Sequence, residues 1–292
     1  VSELVLGSAQ FGAGYGITNA TGRLSDAVVT EILGLAAQAG IALVDTAADY
    51  GDAQERLGVL NPAEGARYIT KFSLPDDPRE APSAHALFGA SQESLGVPTL
   101  HGVLFHRLSD FDDVRCGQTV DLLRDARASG RIGRAGASVY DVESLERALE
   151  AFPDLDLVQI PGNVADRRLL DHPLLAQLHG DGVEIHVRSA LLQGLLLLEP
   201  EQLSGFFAPL RPVVEDLRSL AAAAHTSVLA VVLGFLAAHP LADGVLVGAT
   251  SADELGQLVD AWTAGPSATL PAWRLPDEVL DPRRWPIGEV VR

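Results

Sequence analysis

Residues 42–51 read ALVDTAADYG, residues 67–72 read RYITKF and residues 102–110 read GVLFHRLSD. Each begins as a short apolar, β-branched run and ends on a polar residue, the way a buried parallel strand delivers a side chain to the loop that follows it. Working outward, runs of this kind recur at residues 4–6, 42–44, 68–70, 102–105, 131–135, 155–160, 183–187 and 244–247. Helix-length segments separate them, with apolar residues three and four apart, as at Val28, Ile32 and Ala36. Ser25 and Gly40 bracket the first helix, and Ser251-x-x-Glu254 reads as a capping box that opens the last. Eight strands alternating with helices predict parallel pairing, and unbroken alternation over this length predicts a closed (β/α)8 TIM barrel, one domain over residues 1–292. A doubly wound sheet is the competing arrangement, but GSAQFGAG at residues 7–14 does not fit its Gly-x-Gly-x-x-Gly turn. The longest step lies between the seventh and eighth runs, where residues 191–226 read as an extended loop plus an extra helix. A Pro-rich tail with Trp273 and Trp285 follows Trp262.

Composition narrows the partners. The chain has 292 residues and a formal charge of −18, which disfavours nucleic acid because phosphate binding needs a dense basic surface. Hydrophobic residues make up 47%, enough for a full core. Cys116 is the only cysteine, so an intramolecular disulfide is impossible and a reducing compartment is expected. The longest apolar run, residues 228–238, is too short to span a bilayer. The expectation is a soluble cytoplasmic protein with neither nucleic acid nor membrane as partner. All but one of the 21 basic residues are arginine, and the exception is Lys71. G+C-rich codon usage accounts for scarce lysine and absent methionine, but not for the one lysine kept at a strand end.

In a barrel the active site lies at the C-terminal ends of the strands. There the sequence aims Asp45, Tyr50, Lys71 and His106 at one rim from three consecutive strands. Taken singly, each has an ordinary structural explanation: a helix cap, a packed ring, a satisfied core histidine. Lys71 differs, since a compact ammonium can approach a phenol or carbonyl where a bulky guanidinium cannot. Together the four form a proton-delivery device. A tyrosine near pKa 10 is a poor acid at neutral pH, and a nearby cation stabilises its phenolate. None of the four is a hydride source, which a nicotinamide cofactor would supply.

This set resembles the catalytic tetrad of the aldo-keto reductases, NAD(P)-dependent (β/α)8 oxidoreductases, and the resemblance runs from about residue 4 to residue 262. It implies that Tyr50 is the general acid, that Lys71 and Asp45 tune it, and that His106 orients the carbonyl of a small aldehyde, ketone or alcohol. It further implies NADP(H) or NAD(H) as cofactor. In GRIGRAGAS, Ser138 would bind the nicotinamide carboxamide, although Val139 stands where an Asn often follows. In DLVQIPGN, Gln159 matches the second carboxamide ligand. In EIHVRSALLQG, Arg188 replaces the usual aromatic residue under the ring, and Ser189, Leu191, Gln193 and Gly194 match the segment near the pyrophosphate. In GVLVGATSADEL, Gly248, Thr250 and Glu254 match the adenosine-phosphate region, where relatives that prefer NADP usually carry a basic residue.

Two other functions compete with this one. Lys71 could form a Schiff base, as in aldolase-type barrels, or the barrel could bind nicotinamide without catalysis. The Leu-rich segment at residues 195–198, with Phe206 and Phe207, reads as core under a long connection, as a lid over substrate, or as both. Tyr15 is a further candidate for the same rim. No metal-binding set is expected, because His172, His179 and His186 are spaced for neither a helical pair nor a finger.

Overall fold

The computed structural model describes residues 2–19, 21–61, 65–77, 82–264 and 270–286. Its strands are β1 (Glu3–Gly7), β2 (Leu43–Asp45), β3 (Arg67–Phe72), β4 (Leu100–Phe105), β5 (Ile132–Ser138), β6 (Leu157–Pro161), β7 (Glu184–Arg188) and β8 (Gly244–Val247). They pair in parallel in chain order, and β8 returns to β1, with Leu6 opposite Val247, to close the barrel. The open doubly wound sheet is thereby excluded. Helices on the outside alternate with the strands, from Asp26–Gln38 after β1 to Ala252–Thr263 after β8. Ser25 caps the first of these by accepting from the Val28 amide, and Gly40 takes the left-handed conformation just past its end, with φ of 76°. Among the described residues, no single helix is long and apolar enough to cross a membrane.

Two-residue alternation along each strand sorts the barrel interior into layers. On β3, Arg67, Ile69 and Lys71 run from the floor through the middle to the rim; on β7, Glu184 lies at the floor and Arg188 at the rim, with His186 reaching down to Glu184. Val5, Leu43, Ile69, Leu104 and Leu157 form the dry middle layer. Side chains on the outer face of the sheet, such as Val44, Val103, Val158 and Val187, join the helices in the main core. β5 extends beyond the expected residues 131–135 to Ser138. Gly136 lies so close to β6 that a Cβ there would collide with the Leu157 carbonyl, so this glycine permits strand packing where glycine ordinarily suggests a strand end.

The floor gathers a polar cluster that sequence spacing does not foreshadow. Glu184 Oε1 accepts from His101 Nε2 at 2.9 Å and from His186 Nε2 at 2.7 Å, while Arg134 Nε donates to Glu184 Oε2 at 3.0 Å. The three possible ligand atoms lie within 4.8 Å of one another, yet their hydrogen bonds are spent within the cluster. Arg67 also faces His101 Nδ1 at 3.4 Å. His172 and His179 are elsewhere: the first caps a helix through the Leu174 amide and the second faces Asp243.

Between β7 and β8, three short 3-10 segments and the helix Arg211–Ala223 build a satellite core around Leu195, Leu196, Phe207, Leu210 and Leu217. Trp285 packs edge-on against Phe207 at 5.0 Å, and Trp273 Nε1 donates to Asp216 at 2.8 Å. The tail's Trp residues therefore cover the insertion. Residues 265–269 and 287–292 of the expected Pro-rich tail lie outside the described residues.

Candidate active site

The barrel register carries the polar ends of β2 and β3 to a common point. Beyond Asp45, the Thr46 amide donates to the Ile69 carbonyl and the Ala48 amide to the Lys71 carbonyl, both at 2.8 Å, so the chain stays pinned against β3 until it turns toward Tyr50. Lys71 Nζ then meets Asp45 Oδ1 at 2.5 Å and the Thr46 carbonyl at 3.0 Å. Gln159 Nε2 donates to the other Asp45 oxygen at 2.8 Å. Lys71 is 1% exposed and Asp45 2%, so this pair is sealed beneath the rim. The Tyr50 ring stands over it, 5.2 Å from Nζ, and meets His106 edge-on at 5.6 Å between centroids.

Electrostatics at this point differ from the sequence expectation. Burial and then the charge of Asp45 push the Tyr50 phenol far above its usual pKa, while Arg188 acts in the opposite direction. The phenol is therefore firmly protonated, and the neighbouring ammonium does not turn it into a phenolate. Burial also pulls the Lys71 pKa down, against the attraction of Asp45. Sequence reading overlooked Asp49 in the same loop. Its Oδ2 accepts from His106 Nδ1 at 3.0 Å and from Ser73 Oγ at 2.6 Å, which fixes the imidazole and leaves Nε2 without a partner among the described residues. The Asp49 pKa is lowered, chiefly through the bond from His106.

Next to this group lies a cleft of about 510 Å³ lined by Asp45, Tyr50, Gln159, Arg188, Ser189, Leu191, Gln193 and Gly194. It continues along Gly248, Thr250 and Glu254, so all but one of the residues expected at the cofactor line one concavity. The exception is Ser138, buried and paired in register with Gln159. Lys71 does not line the cleft. Of the Leu-rich segment, Leu197 lines the cleft while Leu195 and Leu196 are core.

Sequence reading also missed most of the loop after β1. Ile17 N donates to Gln193 Oε1 at 2.9 Å and Thr18 Oγ1 to the Gln193 carbonyl at 2.8 Å, which straps this loop to the segment after β7. Gly194, at φ 90°, leaves no room for a Cβ beside Thr18. Ser189, Leu192 and Gln193 are held at positive φ, a conformation costing about 1–3 kcal/mol for each such residue and concentrated in ligand-clamping segments. Only Tyr15 of this loop was anticipated; it lines the cleft mouth.

Arg188 does not point free into the cleft. Its guanidinium stacks on Tyr140 at 4.1 Å and donates to the Val139 carbonyl at 3.0 Å. Arg283, from the tail, covers the same ring at 3.9 Å and is anchored by Asp281 and Asp141. At the far end of the cleft, Ser251 Oγ accepts from the Glu254 amide at 3.1 Å. The expected capping box is half formed. The Glu254 carboxylate accepts from the amide and hydroxyl of Thr250, one residue before the cap, at 2.7 and 2.8 Å.

The fold is thus a closed (β/α)8 barrel whose rim holds a buried Lys–Asp pair beneath a tyrosine. The chain matches the aldo/keto reductase family over residues 3–267 and belongs to that family. Two solved structures of proposed aldo-keto reductases from Pseudomonas aeruginosa are similar to it, with TM-scores of 0.63 and 0.62. Each is 21% identical, with 90% of each chain covered. At that identity the likeness establishes the fold alone. Comparison with curated proteins finds no match.

Proposed function

We propose that the protein is an NAD(P)-dependent oxidoreductase that reduces an aldehyde or ketone to an alcohol, or runs the reverse reaction, with Tyr50 as proton donor. The observation that carries this is the sealed Lys71–Asp45 pair beneath a protonated Tyr50, at the edge of an elongated cleft.

The residues present fit a nicotinamide dinucleotide. Gln159 spends its amide nitrogen on Asp45, which leaves its oxygen for a carboxamide. The strained backbone at Ser189 to Gly194 and the N-terminus of the helix Ala252–Thr263 suit phosphates. Arg188 and Leu191 line the same wall. At the adenosine end, the lining around Gly248, Thr250 and Glu254 carries no cation, which favours NAD(H) over NADP(H). When bound, such a group supplies hydride.

The chain itself supplies the proton and the positioning. Tyr50 holds its proton until negative charge develops on a substrate oxygen, which is when a desolvated phenol is most useful as a donor. Lys71, held by Asp45 and the Thr46 carbonyl, places a positive charge below the forming phenolate. His106 Nδ1 pairs with Asp49 Oδ2, which fixes the ring so that its Nε2 edge can position a carbonyl. Schiff-base chemistry is less well supported, because Lys71 Nζ is engaged and walled off from the cleft.

Tyr50→Phe tests the assignment. Expected are a loss of about 10²–10⁴ in kcat for carbonyl reduction and unchanged cofactor affinity by fluorescence titration. Near-normal turnover in this variant refutes Tyr50 as the donor.

A further inference from the structure

Among the described residues, Arg188 is the one cation lining the cleft, and it has no carboxylate partner. Most arginines of this acidic chain are paired: Arg56, Arg115, Arg134, Arg168 and Arg283 each meet an Asp or Glu within 3.0 Å. In the same wall the Asp45 carboxylate is neutralised by Lys71, whereas no described carboxylate neutralises Arg188. The guanidinium is also held still. Tyr140 lies against it at 4.1 Å, the Val139 carbonyl accepts from it at 3.0 Å, and Arg283 covers the same tyrosine ring at 3.9 Å. Arg283, unlike Arg188, is balanced by Asp281 and Asp141. Burial dominates the pKa shifts of Tyr50, Tyr15 and Lys71, but the Arg188 charge acts on all three, so its field reaches across this end of the cleft.

Carbonyl reduction constrains where a hydride donor lies. Hydride goes to the carbonyl carbon and the Tyr50 proton to its oxygen, about 1.2 Å away. The donor ring must therefore share the stretch of cleft beside Tyr50, which Gln159 and Arg188 also line. Reduced and oxidised nicotinamide dinucleotides carry the same phosphates and differ by one positive charge on the ring. Resting on the reading of this cleft as a dinucleotide site, we infer that Arg188 makes the protein select the reduced cofactor, by repelling the cationic ring of the oxidised form and accepting the neutral ring of the reduced one. Such repulsion needs proximity rather than one particular ring pose, and a guanidinium keeps its charge throughout the working pH range. The step balances: the neutral ring loses a hydride, with its two electrons, to the carbonyl carbon and becomes a cation, while Tyr50 supplies the proton to the oxygen. Positive charge thus appears near Arg188 as product forms, which favours release of the oxidised cofactor. Each tenfold of preference raises the midpoint potential of the bound couple by about 30 mV, so the bound reduced form is a slightly weaker hydride donor. Selection therefore acts at loading and release. From a mixed pool the cleft fills with the reduced form, and carbonyl reduction is the direction this favours.

The test is calorimetric titration with NADH, NAD⁺ and ADP-ribose, the last of which keeps the adenosine and both phosphates but lacks the ring. The expected ratio of the NAD⁺ Kd to the NADH Kd is about 30 or more in the unaltered protein. It should fall about tenfold in Arg188→Leu and stay within about threefold in Arg188→Lys, which keeps the charge. ADP-ribose should bind both variants as it binds the unaltered protein, which also shows that they fold. Equal affinity for NADH and NAD⁺ in the unaltered protein overturns the inference and leaves the dinucleotide reading standing. So does an unchanged ratio in Arg188→Leu. A variant that weakens NADH, NAD⁺ and ADP-ribose alike overturns it too, because Arg188 then serves the phosphates and not the ring. If none of the three binds the unaltered protein, the dinucleotide reading fails and the inference falls with it.

Discussion

Lys71 Nζ lies 2.5 Å from Asp45 Oδ1, and both side chains are almost completely withdrawn from water. The only lysine of the chain is thus shielded before any cofactor binds. The fold itself, rather than a bound cofactor, is its protector. Acylation of the native protein should leave Lys71 unmodified with or without dinucleotide, and peptide mass mapping should find it modified only after unfolding in urea. Modification in the folded state disproves the sealed pair.

The same pair sets a stability test. Removing one partner leaves a buried charge that only Gln159 or the Thr46 carbonyl can meet. Lys71→Met should therefore cost about 3–5 kcal/mol in urea unfolding. Lys71→Met combined with Asp45→Asn should cost less than the sum of the two single changes. Additive losses would show that the two groups do not compensate each other.

Glu254 holds the amide and hydroxyl of Thr250 at the mouth of the last helix, where a 2′-phosphate would meet a carboxylate. Glu254→Arg replaces repulsion with attraction and should shift the NADPH to NADH affinity ratio upward by tenfold or more, about 1.4 kcal/mol. The stability change should be small and comparable to the loss of a partial cap, about 1 kcal/mol. An unchanged ratio by fluorescence titration means that the adenosine end lies elsewhere.

Asp110 has the opposite problem to Asp45. Burial raises its carboxyl to about 6, against the pull of Arg107 at 3.7 Å. Among the described residues Oδ2 has no hydrogen-bond partner, while Oδ1 receives the Leu74 amide at 3.3 Å. With the folded pKa above the unfolded value near 3.9, the contribution of Asp110 to stability is greatest below about pH 4, falls as pH rises toward 6 and is level above that. Asp110→Asn removes the penalty and keeps the acceptor for Leu74. It should stabilise by about 1–2 kcal/mol at pH 7 and by nothing at pH 3.5, as read from urea midpoints. A gain independent of pH contradicts ionisation as the cause.

The barrel and the gathering of Asp45, Tyr50, Lys71 and His106 at one rim are legible in the sequence because both follow from order along the chain. Strand runs separated by helix-length segments can close only one way in chain order, and a residue at the end of a run must reach the rim. What escapes is whatever the closed circle brings together from afar. Arg283 and Arg188 share one tyrosine although 95 residues of chain separate them. Gln193 is strapped to Ile17 and Thr18 from the far side of the sequence. Asp49 was in plain view in VDTAADYG, but its role depends on His106, which only the β3–β4 register brings near. The sign of the Tyr50 shift was likewise hidden, since it depends on how deeply the ring is buried and then on the nearby charge of Asp45.

The barrel floor offers a test of that same long-range assembly, since His101 comes from β4 and Glu184 and His186 from β7. Burial tends to raise the Glu184 carboxyl, but the bonds from His101 and His186 outweigh it and the net direction is down. A carboxyl lowered on folding contributes stability above its unfolded pKa, near 4.3, and that contribution is lost as pH falls through the folded value. Glu184→Gln keeps the shape but removes the charge that faces His101, His186 and Arg134. The variant should be about 3 kcal/mol less stable at pH 7, and the gap should narrow as pH falls below 4. At that acidity Glu184 is protonated in the unfolded chain of the unaltered protein, whose advantage then fades with each further drop. If the gap between the two thermal unfolding curves is the same at pH 7 and pH 3, the floor is held by shape and packing, and the charges of its cluster contribute nothing to the closure of the barrel.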